Sequence, residues 1–328
     1  MRFVIYGVGA IGGTIASALA LSGQEVVGIA RGAQLEAIRE RGLLLRTPDR
    51  TVTVRFPCHA GPAEAGLRAG DVILLTMKTQ DTQAALEALR AAGTADQPVL
   101  CVQNGVANER MALRFFPNVY GVTVMMPSDY LVPGEVNAFC APRHGVLEIG
   151  RYPSGSDADA AAIASALEWA NIAAFVDPDV MAGKYGKLRL NLHNVIEAAV
   201  GPREGKERFG AIVREEAEAV YRAAGIVWRD VGAGDPRRTL MQVRDIDDIK
   251  RMGGSSSQSL MRGTGSMETD YLNGEIVLLG RLHGVPTPAN AWFCALAHRL
   301  VSERIKPGSI PVEDIERGLA DARAAAQA

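Results

Sequence analysis

The run Met1-Arg2-Phe3-Val4-Ile5-Tyr6-Gly7-Val8-Gly9-Ala10-Ile11-Gly12 constrains the fold more than any other part of the chain. Residues of strand-forming character lead into the glycines, and a small-residue helical pattern follows to Ser22, so the motif lies where a strand turns into a helix. Each glycine has a mechanical task there. Gly7 permits the tight turn, Gly9 lets backbone approach a pyrophosphate, and Gly12 lets the helix pack close to the strand with its N-terminus toward the phosphates. The turn from Gly7 through Val8, Gly9, Ala10 and Ile11 to Gly12 is therefore expected to bind a dinucleotide.

The rest of the first half fits such a domain. Short apolar runs at Val26 to Ala30, Val72 to Thr76, Val99 to Val102 and Val119 to Val124 read as buried strands. Helical patterns at Ala33 to Arg41, Gln80 to Ala92 and Ala107 to Phe115 alternate with them, which predicts a doubly wound α/β domain with a parallel sheet. Gly134 to Ile149, broken by Pro142 and Gly145, reads as irregular strands at the far edge. After the loop from Arg151 to Asp157, Ala158 to Ala170 is an alanine-rich helix, and helical periodicity dominates from about Asp179. The predicted division is a Rossmann-type dinucleotide domain over residues 1–178 and an all-helical domain over 179–328, the latter serving substrate binding and homodimerisation.

Composition narrows the partners. With 328 residues, 48% hydrophobic and 22% charged, the chain can fill about two domains. A net charge of −2, spread along the sequence, gives no footprint for nucleic acid or an anionic membrane. Glycines interrupt the only apolar start that could resemble an export signal, and no stretch of about 18 apolar residues occurs, so a cytoplasmic protein acting on small molecules is expected. Cys58, Cys101, Cys140 and Cys294 are widely spaced and lack histidines at ligand spacing, so all four read as buried thiols and no metal is expected.

The end of the second strand selects the cofactor. An NAD site carries an acidic residue roughly 20 positions beyond the glycines to hold the ribose 2′-hydroxyl. Here that place reads Ala30-Arg31, which offers a guanidinium for a 2′-phosphate, and NADP(H) is expected. A solvated arginine after a strand is the plainer alternative.

Asp179 is placed to cap a helix running to Ala199. On its wheel Leu188, Leu192, Val195, Ile196 and Ala199 form a core face, and Arg189, His193 and Glu197 a solvent face. Lys187, Asn191 and Asn194 form a third stripe set apart from both. One ammonium beside two amides can hold a polar substrate and give it a proton, since partial desolvation brings a lysine pKa toward neutrality. The alternative is that the stripe widens the solvated side. Farther on, Glu268 heads a stripe with Leu272, Ile276 and Leu279, which turns its carboxylate inward unless it serves only the helix dipole. A loop at Ser255, Ser256 and Ser257 offers donors to a carboxylate or caps a helix.

Taken together, Gly7 to Gly12 with Arg31, Thr76-Met77-Lys78-Thr79-Gln80, Gln103-Asn104-Gly105-Val106, Lys184 to Asn191 and Glu268 to Gly274 resemble the ketopantoate reductases, the 2-dehydropantoate 2-reductase family, over nearly the full length. The resemblance implies that Lys187 protonates the carbonyl oxygen of a 2-oxo acid as a hydride arrives from NADPH. It implies further that Lys78 and Asn104 line the cofactor and substrate cleft, that Asn191 holds the substrate hydroxyl or carbonyl, that Ser256 holds its carboxylate, and that Glu268 orients Lys187 or contacts the hydroxyl. Two departures bear on the substrate. Asn194 follows Asn191 by three positions where the family usually has four, and Gln258-Ser259-Leu260-Met261 stands where the family tends to be acidic. The expected activity is therefore NADPH-dependent reduction of a small 2-oxo acid, foremost ketopantoate to pantoate. The alternatives are another 2-oxo acid, 3-hydroxy acid or opine-type dehydrogenase on the same plan, and an NADPH sensor without turnover.

Overall fold

A computed structural model describes residues 1–203, 205–247, 249, 251, 253–263 and 266–327. In chain order the first unit contains β1 (Arg2–Tyr6), α1 (Ala10–Leu21), β2 (Glu25–Ile29), α2 (Gly32–Arg41), β3 (Leu43–Arg46), β4 (Thr51–Val54), β5 (Cys58–His59), α3 (Pro62–Ala65) and β6 (Asp71–Leu75). It continues with α4 (Thr82–Ala91), β7 (Val99–Cys101), α5 (Asn108–Leu113), β8 (Val119–Met125), β9 (Ser128–Asp129), β10 (Glu135–Ala138), β11 (Cys140–Pro142), β12 (Val146–Arg151), α6 (Ala158–Trp169) and β13 (Ala173–Val176). The remaining helices are α7 (Val180–Asn191), α8 (Asn194–Val200), α9 (Lys206–Ala223), α10 (Ser255–Met261), α11 (Asn273–His283), α12 (Pro288–Ser302) and α13 (Val312–Gln327), with one further strand, β14 (Met241–Val243).

The main sheet runs β13-β12-β8-β7-β6-β1-β2-β5. All its neighbours pair in parallel except β8 and β12, which are antiparallel, so the expected parallel sheet turns mixed beyond β8. Its strands are buried on both faces, as their continuous apolar runs require. Phe3, Ile5, Ile15 and Leu74 pack on one side, and Val4, Ile73, Leu86 and Leu89 on the other. The Gly134 to Ile149 segment does not stay together at the edge. Its β12 joins the main sheet, whereas β10 enters a small sheet ordered β4-β3-β10-β9.

The chain divides into compact units of Met1–Lys184 with Ala233–Arg251, and Tyr185–Gly232 with Met252–Ala328. The first unit thus ends within α7 and recovers a segment from far along the chain. That segment is fastened by chemistry the linear pattern hides. β14 pairs antiparallel with β11, the Arg143 amide donates to the Leu240 carbonyl at 3.1 Å, and Arg237 joins Asp235 at 2.6 Å and the fully buried Glu148. Among the described residues of the second unit helices are the only regular elements, and no described helix is long and apolar enough to cross a membrane. Cys58, Cys101 and Cys140 are buried as expected, but Cys294 is half-exposed beside the Thr269 carbonyl.

The expected helix from Asp179 to Ala199 is two helices, interrupted at Leu192 and His193. The predicted solvent face is also wrong. Arg189 pairs with Glu218 at 2.6 Å and lies over the Trp228 ring at 4.7 Å, and burial pushes the His193 pKa down. Both side chains therefore sit in packed surroundings that their spacing in the sequence did not disclose.

At the start of the sheet, Arg2 and Asp71 form a bidentate pair at 2.7 and 2.6 Å, with Arg2 7% and Asp71 1% exposed. The two residues are register partners on β1 and β6, so the pair locks the strand that carries the glycine turn. Asp71→Ala leaves a buried guanidinium without its carboxylate and should lower unfolding stability by about 3–5 kcal/mol. Urea denaturation checks this, and an unchanged midpoint and slope would remove the pair from the account.

Candidate active site

Within the first unit, the predicted cofactor residues occupy neighbouring strand ends. Gly7 follows β1, Arg31 follows β2, Lys78 follows β6 and Asn104 follows β7, and these four strands are adjacent in the order β7-β6-β1-β2. The chain leaves β1 toward β2 on one side and reaches β6 on the other, which makes this the sheet's switch point, where open α/β sheets bind ligands.

The glycine turn is built as its sequence requires. Gly7 has φ +108°, and a side chain at Gly12 would place Cβ 2.3 Å from the Gly7 carbonyl oxygen and 2.5 Å from Thr76 Oγ1. Thr76 in turn donates to the Gly7 carbonyl at 2.8 Å, a contact that the glycine pattern alone does not reveal. Around Gly9 the nearest atom to such a Cβ is Tyr130 Cδ1 at 3.9 Å, so the backbone there is open to a ligand. Gly9 stands at the N-cap of α1, whose first amides have no partner within the helix. This fits a pyrophosphate. Val8 offers a ligand only its backbone: its side chain is buried and its carbonyl accepts from Gln34 Nε2 at 2.8 Å. Ala10 and Ile11 form the first helical turn and are partly exposed.

Arg31 is 83% exposed and pairs with Asp81 at 3.1 Å. An exposed pair of this kind contributes little, so the guanidinium can be redirected at small cost. Lys78 and Asn104 are both half-buried. The Asn104 loop is held from beneath: Gln103 Nε2 donates to the Met77 carbonyl at 3.0 Å and to Thr82 Oγ1 at 2.8 Å, while Asn108 Nδ2 donates to the Asn104 carbonyl at 3.2 Å. Below it, Lys184 is 2% exposed and its ammonium meets Glu109 at 2.6 Å, the Gln103 carbonyl at 2.9 Å and the Val122 carbonyl at 3.3 Å. Burial pushes the Glu109 carboxyl pKa up, against the pull of Lys184. The KYGK spacing marked Lys184 as part of a motif, but nothing in it marked the residue as a buried anchor.

Within the second unit, Lys187 and Asn191 remain one turn apart on α7, the first half-buried and the second 5% exposed. Asn191 Nδ2 has no hydrogen-bond partner among the described residues. Gly186, just before Lys187, allows the Arg229 carbonyl so close that a Cβ there would lie 1.7 Å from its oxygen. The break in the helix removes Asn194 from the stripe, because it now opens α8. Its side chain instead approaches the N-terminus of α10: Asn194 Oδ1 lies 3.6 Å, and Glu197 Oε2 2.8 Å, from where a Gly254 Cβ would sit.

The predicted serine loop is itself helical. Gly254 is the N-cap, Ser255 starts α10, and Ser256 is 4% exposed. Asn194 and the Ser256 segment are thereby brought together. Glu268 is 5% exposed, so its carboxylate is turned inward, but it belongs to a 3₁₀ turn over Glu268–Tyr271. It does not share one continuous helix with Ile276, since Leu272 at φ −114° and ψ −87° separates that turn from α11.

Comparison with known proteins supplies the remaining evidence. A model of the ketopantoate reductase family PanE/ApbA matches residues 3–154, and a model of that family's C-terminal part matches residues 196–301. A 2-dehydropantoate 2-reductase of Caulobacter vibrioides is 29% identical, covering 89% of this chain and 96% of its own. The crystal structure of a PanE/ApbA family ketopantoate reductase from Ralstonia eutropha shares 30% identity with a TM-score of 0.77, covering 93% of this chain and 99% of that one. The fold is also that of a D-mandelate dehydrogenase solved with NADH and anilino(oxo)acetate, at a TM-score of 0.76 and 23% identity, covering 93% and 99%.

Proposed function

Because this chain belongs to the ketopantoate reductase family, we propose that it reduces a small 2-oxo acid with NADPH, 2-dehydropantoate being the first substrate to test. The observation that carries the reading is on α7. Asn191 presents a buried amide donor without a partner among the described residues, one turn from the Lys187 ammonium, and a buried donor of this kind calls for an acceptor oxygen.

The chemistry divides among this chain's own residues as follows. When bound, a dihydronicotinamide would supply a hydride to the oxo carbon. As the carbonyl electron pair moves to oxygen, Lys187 gives that oxygen a proton, becomes a neutral amine and is reprotonated from solvent. Asn191 donates a hydrogen bond to the same oxygen or to the neighbouring carboxylate, and the negative charge is stabilised as it forms. Glu268, turned inward in its 3₁₀ turn, holds the ammonium or the product hydroxyl. Asn194 and Ser256, adjacent through the Gly254 turn, receive the substrate carboxylate. Lys78 and Asn104, at neighbouring strand ends, and the turn from Gly7 to Gly12 would hold the cofactor.

NADPH is proposed over NADH because β2 ends in Ile29-Ala30-Arg31, with a movable guanidinium where an NAD site has a carboxylate. Asp81 favours the other reading, since its carboxylate lies beside Arg31 and could serve a 2′-hydroxyl.

Two kinetic outcomes are expected. Lys187→Ala should lower kcat by about 10²–10⁴-fold while NADPH affinity, measured by fluorescence titration, is kept. Undiminished kcat would remove Lys187 as the acid. Arg31→Ala should raise KM for NADPH by about tenfold or more, the scale of one lost charge-assisted hydrogen bond, and leave KM for NADH within about twofold. Equal effects on both cofactors would point to Asp81 and a 2′-hydroxyl instead.

A further inference from the structure

The interruption between α7 and α8 has no proline or glycine to cause it: the chain there reads Leu190-Asn191-Leu192-His193-Asn194-Val195. An unbroken helix would give the Leu192 carbonyl to the Ile196 amide. At the break that carbonyl accepts from Asn273 Nδ2 at 3.3 Å, a residue 81 positions away.

Asn273 is 1% exposed, and its orientation is fixed by the buried Asn290 and the half-buried Glu216. Its Nδ2 also donates to Asn290 Oδ1 at 3.0 Å. Asn290, 0% exposed, donates through Nδ2 to the Val213 carbonyl at 3.1 Å and to Glu216 Oε2 at 2.7 Å. Glu216 in turn accepts from the amides of Ala289 and Asn290 at 2.8 and 2.9 Å. A carboxylate can only accept, so Glu216 forces the Asn290 amide to present its oxygen, and that oxygen forces Asn273 to present its nitrogen. Leu192 receives that nitrogen. The ladder therefore joins α9, α12 and α11 to the end of α7, directly after Asn191.

We infer that Asn273 is a positioning residue: by capturing the Leu192 carbonyl it ends α7 at Asn191, and so sets where the Asn191 amide stands relative to Lys187. This rests on the reading of Lys187 and Asn191 given above. An isolated backbone carbonyl at a helix end could take water, but a donor whose direction is set through Asn290 by Glu216 fixes the end in one place. Asn273 need not touch the substrate for this; it acts through Asn191.

The test measures kcat and KM for 2-dehydropantoate and the Kd of NADPH, all per NADPH-binding site, in the wild type, Asn273→Ala, Asn191→Ala and the double variant. Asn273→Ala should raise KM for the oxo acid about tenfold or more, with NADPH affinity within about twofold of wild type. Because Asn273 acts through Asn191, the double variant should be little worse than Asn191→Ala alone. Wild-type KM and kcat in Asn273→Ala, or losses that multiply in the double variant, would overturn the inference. Should Asn273→Ala not bind NADPH stoichiometrically, Asn273→Ser, which keeps a short donor, is read by the same criteria and should show a smaller rise in KM. A wild type that turns over no 2-oxo acid would overturn both the functional reading and this inference. An active wild type with indifferent Asn273 variants would overturn the inference alone.

Discussion

The buried ammonium of Lys184 is the constraint on which the arrangement of the first unit's strand ends depends. Lysine is costly to bury, and this one is 2% exposed beside a Glu109 that is wholly buried. The cost is offset only because every direction around Nζ meets an acceptor: the Glu109 carboxylate and the carbonyls of Gln103 and Val122. Since the Gln103 carbonyl lies in the loop after β7 and the Val122 carbonyl within β8, the ammonium fixes the loop that presents Asn104. It also fixes the start of α7, the helix that carries Lys187 one turn later. Removing either partner would leave a lone buried charge, so the pair makes one geometry far cheaper than its neighbours.

α7 is thus specified at both ends by polar groups, each within its own unit. Lys184 holds its opening turns in the first unit, and Asn273 takes the carbonyl beyond its last residue in the second. Between them the Arg229 carbonyl presses on Gly186. The roles proposed for Lys187 and Asn191 gain from such fixing, because a displacement of even an ångström is expensive in rate.

Much of this was legible in the residues themselves. The glycine turn could be read because strand, turn and helix are contiguous, and each glycine answers a local steric demand, as Gly12 against the Gly7 carbonyl shows. The buried strands could be read because a parallel sheet covered on both faces needs unbroken apolar runs. What escaped was set by distant partners. The break at Leu192 depends on Asn273, and the packing of Arg189 depends on Glu218 and Trp228. The attachment of residues 233–251 to the first unit depends on Glu148 and β11, nearly a hundred positions earlier. None of these leaves a periodic trace. The hairpin of β3 and β4 was also unforeseen; its Thr51 to Val54 strand is mostly exposed and lacks the apolar run that marked the others.

Family membership brings a reaction class, while the groups proposed in the second unit to hold the substrate bear on which oxo acid is reduced. Asn194 stands at the start of α8 instead of on the α7 stripe, and the α10 segment carries Gln258-Ser259-Leu260-Met261. Asn194 is itself one of the groups proposed to receive the substrate carboxylate, and residues 258–261 follow the other, Ser256, on the same helix. The most direct measurement is NADPH oxidation, followed by absorbance, with 2-dehydropantoate, pyruvate, 2-oxoisovalerate, a bulkier 2-oxo acid and a 3-oxo acid in parallel. The account predicts turnover of 2-oxo acids, with the highest kcat/KM for 2-dehydropantoate, and none of the 3-oxo acid. NADPH binding without oxidation by any of them, or a preference for the 3-oxo acid, would contradict it.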